Sequence, residues 1–83
     1  TDGRWVTALF EDSRGAVWVG TRDGLLRVDA AGRVAERWTG RGDALPHPFV
    51  RDVVEDAAGG VWVATNGGGI VRLDPNGGAP RHV

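Results

Sequence analysis

Two triplets, Val17-Trp18-Val19 and Val61-Trp62-Val63, are apolar at every position. Successive side chains of a strand point to opposite faces, so each triplet predicts a strand covered on both sides. A sheet with one wet face would alternate apolar and polar residues instead. Around the triplets the chain runs as short β-branched or aromatic stretches broken by Asp, Gly and Asn, the pattern of hairpins. Trp5 to Phe10, Ala16 to Gly20, Leu25 to Asp29 and Val34 to Trp38 form a first set of four predicted strands. Phe49 to Val54, Gly60 to Ala64, Ile70 to Leu73 and Ala79 to Val83 form a second. No stretch of about ten residues carries the helical period. The fourth strand is polar in the first set (Val34-Ala-Glu-Arg-Trp38) and holds Pro80 in the second. Proline lacks the donor a central strand needs, so this strand is an edge.

The two sets are copies of one unit. Displaced by 44 residues, Val6–Thr21 lies over Val50–Thr65 with eight of 16 positions identical. Glu11-Asp12, Gly15, Val17-Trp18-Val19 and Thr21 return as Glu55-Asp56, Gly59, Val61-Trp62-Val63 and Thr65. An extra glycine in Gly67-Gly68-Gly69 moves the offset to 45, and Leu25–Asp29 then matches Ile70–Asp74. A period of roughly 40 residues with four strands per repeat is the signature of propeller blades. Four-stranded antiparallel units, apolar on both faces and polar at one edge, are what stacked blades require.

Composition sharpens this picture. The chain has 83 residues, and a chain so short is marginal without a staple. Cysteine is absent, which removes disulfides and thiolate metal sites, and His47 and His82 match no zinc spacing. Yet 41% of the residues are hydrophobic and four are Trp, too apolar for a disordered chain. The remaining staple is association with other copies or with a parent chain. Ten basic residues, all Arg, against eleven acidic ones give a net charge of −1, with no basic run. That argues against nucleic acid or an anionic membrane as partner. The opening Thr1-Asp2-Gly3 and the lack of a long apolar run predict no signal peptide and no membrane span within the chain.

Glu11-Asp12…Gly15…Val17-Trp18-Val19-Gly20-Thr21…Gly24-Leu25…Arg27-Val28-Asp29 resembles the two-component regulator propeller repeat. Gly42-Asp43-Ala44-Leu45-Pro46 is similar to the family's connection into the next inner strand, with Ala44 where glycine is usual. Ala64 also replaces the glycine before the second threonine. The resemblance implies an all-β chain of two four-stranded antiparallel β-propeller blades, blade 1 with its linker over residues 1–45 and blade 2 over 46–83. It also implies a sensor-side propeller of an extracytoplasmic parent in front of a histidine kinase, recognising ligands such as oligosaccharides. The motif residues then have structural roles. Asp12 and Asp56 accept turn N–H groups, Gly15 and Gly59 take positive φ, Trp18 and Trp62 fill the space between blades, and Thr21 and Thr65 bond across strands.

Other chemistry is poorly supplied. The Glu11-Asp12 and Glu55-Asp56 pairs cannot flank one glycosidic bond, because neighbouring strand residues point opposite ways. Ser13, the lone serine, has no histidine near it in sequence. Asn66-Gly67-Gly68-Gly69 lacks the lysine and helix of a phosphate loop. Asp74-Pro75-Asn76-Gly77-Gly78 lacks the later glutamate of a calcium loop, and Arg41-Gly42-Asp43 is an adhesion tripeptide inside the family linker. No catalytic residue, metal or cofactor is expected. A ligand would meet loop residues at a propeller face, with Trp5, Arg41 and His47 the candidates.

Two blades do not close a propeller, which has about four to eight. Stacking two blades leaves one apolar face on each, and unlike faces meet head to tail, a contact that closes into a ring. The expected partners are other copies of the chain, three or four to a ring, with a small-molecule or glycan ligand as a further partner. The expected function is that of a non-enzymatic, self-assembling scaffold, natural or engineered. The alternative is a ligand- or carbohydrate-binding sensor module acting through its loops.

Overall fold

A computed structural model describes residues 6–75 and 79–83. All the regular structure in them is strand, and the eight strands are β1 (Val6–Glu11), β2 (Val17–Thr21), β3 (Gly24–Val28), β4 (Val34–Trp38), β5 (Val50–Glu55), β6 (Val61–Thr65), β7 (Gly69–Leu73) and β8 (Arg81–His82). They form two four-stranded sheets, β1-β2-β3-β4 and β5-β6-β7-β8, with every pairing antiparallel. Most boundaries fall within a residue of the sequence expectation. The last strand is shorter than expected: only Arg81 and His82 pair, after the donorless Pro80.

Each sheet is a meander in which side-by-side residues share a face. In blade 1, Phe10, Trp18, Arg27 and Glu36 line one face, together with Ala8, Gly20, Leu25 and Trp38. We call it the Trp face. The opposite, Val face carries Leu9, Val17, Val19, Leu26 and Val28. Blade 2 repeats both. Its Trp face holds Asp52, Val54, Trp62, Ala64, Ile70 and Arg72, and its Val face holds Val53, Val61, Val63, Val71 and Leu73.

The core lies between the blades, where β1 and β2 pack on β5. It joins the Trp face of blade 1 to the Val face of blade 2: Trp18 and Leu25 meet Val53, Val61, Val63, Val71 and Leu73. Leu45, from the connection between blades, plugs the same cluster and is 2% exposed. A bulge between Val50 and Asp52 breaks the period of two, so that Val50 and Val53 both reach blade 1. Gly20 is what lets them approach. A Cβ there would lie 2.5 Å from Val50 Cγ1 and 3.0 Å from its Cβ, closer than real atoms pack.

Candidate functional site

Two places carry chemistry: the joint between the blades and the loop end of the molecule. The joint is built first by its turns. Asp12 sits where β1 enters the turn; its Oδ1 accepts the N–H groups of Arg14 (2.9 Å) and Ala16 (3.0 Å), and its Oδ2 accepts Trp18 Nε1–H (2.8 Å). Asp56 repeats this with Ala58, Gly60 and Trp62, and adds Arg72 Nε at 2.9 Å. Gly15 and Gly59 close these turns at φ 84° and 87°, a region that favours glycine. One aspartate therefore shapes the turn and aims the tryptophan of the next strand. Thr21 and Thr65 bond the carbonyls of Gly24 and Gly69 across the following hairpin.

These bonds fix the charges. Burial alone pushes the Asp12 carboxyl up, but the indole and the two amides outweigh it and hold it below the ordinary carboxylate range. The Arg72 guanidinium, the Trp62 indole and the turn amides hold Asp56 far below that range.

A contact between blades was not legible in the motif. Glu55, at the end of β5, reaches back to the first turn of blade 1. Its Oε1 accepts Ser13 N–H (2.8 Å), its Oε2 accepts Ser13 Oγ–H (2.7 Å), and Arg14 Nη1 lies 3.7 Å from Oε2. Arg14 also donates to the Gly59 carbonyl at 3.3 Å. Thr7 Oγ1 donates to the Val50 carbonyl nearer the other end of the joint. The glutamate of the repeated Glu-Asp pair thus clamps the neighbouring blade, while its aspartate serves its own turn. Only its recurrence in both copies hinted at a role.

The tryptophans part company. Trp18 is 1% exposed and stacks on Trp38 of β4 at 5.5 Å between centroids. Trp62 is half-buried on the uncovered Trp face of blade 2, beside a recess of about 260 Å³ lined by Asp52, Val54, Ala64 and Ile70. The uncovered Val face of blade 1 exposes Val6 and Leu9 by 52% and 69%.

At the loop end, residues 39–49 connect β4 to β5. Asp43 holds this connection, accepting the N–H groups of Thr39 (2.7 Å), Gly40 (3.1 Å) and Leu45 (3.1 Å), and the Thr39 hydroxyl at 3.3 Å. Partial burial pushes its carboxyl up, and these donors bring it below the ordinary range. The aspartate of the adhesion tripeptide is therefore engaged in its own loop. Of the candidate ligand residues, Arg41 is exposed on this connection. His47 is half-buried further along, its Nδ1 accepting Phe49 N–H (3.1 Å) and its Cβ close against Gly68. Arg22 lies over the Phe49 ring at 5.6 Å. Trp5 lies outside the described residues. The connection carries both Arg41 and His47; the His47 ring accepts from its own loop, whereas Arg41 is tied there through its backbone N–H, which donates to Thr39 Oγ1 at 3.3 Å.

The two component regulator propeller family matches residues 2–23 and 44–67, one stretch in each blade, and the chain belongs to that family. A curated relative, "Histidine kinase P4" of Formosa agariphila, is 33% identical over 82 residues, covering 89% of this chain. Two crystal structures of the extracellular domain of BT4673 from B. thetaiotaomicron, described as a one component system and as a hybrid two component system, superpose with TM-scores of 0.81 and 0.82. They are 23% and 22% identical and take in 95% of this chain. The chain spans 6% of the kinase and 12% of each crystallised chain. No helix among the described residues is long and apolar enough to cross a membrane.

Proposed function

We propose that the chain is a non-enzymatic blade pair that works by docking its two uncovered faces on further blades to complete a propeller, head to tail with copies of itself in the simplest arrangement. The observation that carries this reading is the joint itself. It pairs a Trp face with a Val face, and the two faces left over are one of each kind. Unlike faces on opposite sides favour a ring over a face-to-face dimer. Three or four chains make rings of six or eight blades, within the range propellers use. Light scattering of the purified chain tests it: a mass of three or four chains is expected, and a folded, monodisperse monomer at every concentration overturns it.

A second reading, favoured by Arg41 standing exposed on a loop that Asp43 holds in shape, is a ligand-binding sensor module. In it the blades belong to an extracytoplasmic sensor in front of a histidine kinase, and the loop end meets a small molecule or glycan. The names of the relatives support it. Titration with an oligosaccharide library, comparing wild type with Arg41→Ala, tests it: binding weakened by Arg41→Ala is expected, and no hits at high ligand concentration overturn it.

A further inference from the structure

This inference rests on the ring-forming reading. A ring of two-blade chains has two joints that alternate: blade 1 on blade 2 within a chain, and blade 2 on blade 1 of the next copy. The repeat says which residue takes each place in the second joint. Several places differ, and four of them weaken the fit.

Gly20 is replaced by Ala64, and Val50 by Val6. Since a Cβ on Gly20 would lie 2.5 Å from Val50 Cγ1, a joint of the same geometry has no room for the Ala64 methyl. The blades must sit farther apart, and close packing is lost steeply with such gaps. Ala8 packs against the core within the chain, whereas its counterpart Asp52 is exposed and holds a carboxylate on the face to be covered. Covering it removes water from a charge, which costs free energy unless a partner replaces the water. Glu11 takes the place of Glu55 as the clamp and is exposed and ready. The turn it would reach offers Ala57 and Ala58 instead of Ser13 and Arg14, so the hydroxyl and the guanidinium are gone and only a backbone N–H remains.

We propose that the contact between copies is the weak joint of the ring, that Asp52, Ala57, Ala58 and Ala64 set its strength, and that the Val face of blade 1 fits best a blade with the pattern of blade 1. The internal joint is the tight one, and each chain is the stable subassembly.

Sedimentation velocity of the full chain tests this, comparing wild type with the fourfold variant Asp52→Ala, Ala57→Ser, Ala58→Arg, Ala64→Gly over roughly 1 to 500 μM. Circular dichroism checks folding. Wild type is expected to associate reversibly, with the fourfold variant forming rings at concentrations at least about tenfold lower. Asp52→Ala alone changes an exposed side chain, so it keeps the test usable if the fourfold variant fails to fold; it is expected to tighten association about threefold or more. Wild-type rings that persist at the lowest concentration, or association that Asp52→Ala leaves unchanged, overturn this inference and leave the ring-forming reading standing. Folded monomers throughout, for wild type and both variants, overturn the ring-forming reading and this inference with it.

Discussion

Blade 1 and blade 2 bury opposite halves of the same triplet. In blade 1 the tryptophan of Val17-Trp18-Val19 is enclosed and its valines are half-buried; in blade 2 Val61 and Val63 are enclosed and Trp62 is half-buried. The triplet is identical, and the aspartate bond to the indole recurs. The main difference is which side has a neighbouring blade, with Trp38 of its own blade stacked on Trp18 besides. A residue's contribution in a repeat array is set by nearest-neighbour joints as much as by its own repeat.

The largest expected effect that tests this contrast is at the tryptophans. Trp18→Ala empties an enclosed site and is expected to cost about 3–5 kcal/mol, enough to unfold so small a chain. Trp62→Ala removes a half-exposed ring and one hydrogen bond and is expected to cost about 1–2 kcal/mol. Urea denaturation measures both, in the monomer; equal costs would break the comparison and show that the blades are packed alike. Next comes the position before the threonine. Gly20→Ala forces a methyl against Val50 and is expected to cost about 1–3 kcal/mol. Ala64→Gly in the same monomer is expected to cost only about 0.5–1 kcal/mol, through strand flexibility. Thermal melts separate the two.

The smallest contrast appears only in acid. Both turn aspartates have carboxyls lowered by folding, so their stabilisation is complete above the unfolded value near pH 3.9 and is lost as pH falls through the folded values. Asp56, with Arg72 on it, is held lower than Asp12. The chain is expected to lose stability below about pH 4. Carbonyl NMR titration is expected to show Asp12 protonating before Asp56, and the reverse order would remove Arg72 from the account.

The fold was largely legible because strands and turns are local. The Val-Trp-Val triplets, the Asp-x-x-Gly turns and the offset of 44 each place an element without knowledge of the rest. Asp29 repeats the turn bonding of Asp12 and Asp56 with Ala31 and Arg33, as its Asp-x-x-Gly spacing implies. What could not be read was anything joining residues far apart. The Glu55–Ser13 clamp spans 42 residues, and the identical Glu-Asp dipeptides give no sign that one carboxylate faces its own turn and the other a neighbour's. The stacking of Trp38 on Trp18 crosses β3, and nothing in a polar edge strand announces it. Ala64 read as a plain departure from the family pattern, and its meaning needed Val50 opposite Gly20. The loop candidates were legible only as loop: sequence cannot tell Arg41, exposed, from His47, tucked against Gly68.

In the proposed ring, the connection over residues 39–49 would bear on the geometry. Asp43 holds its first residues and Leu45 is seated in the core, so the segment has little freedom to swivel. It therefore behaves as a protractor, setting the angle between successive sheets. Around a closed circle those angles must sum to one full turn, so an error at each joint is multiplied by the number of joints. Were the proposed ring to form, a single aspartate on an exposed loop would thereby bear on how many blades the circle holds.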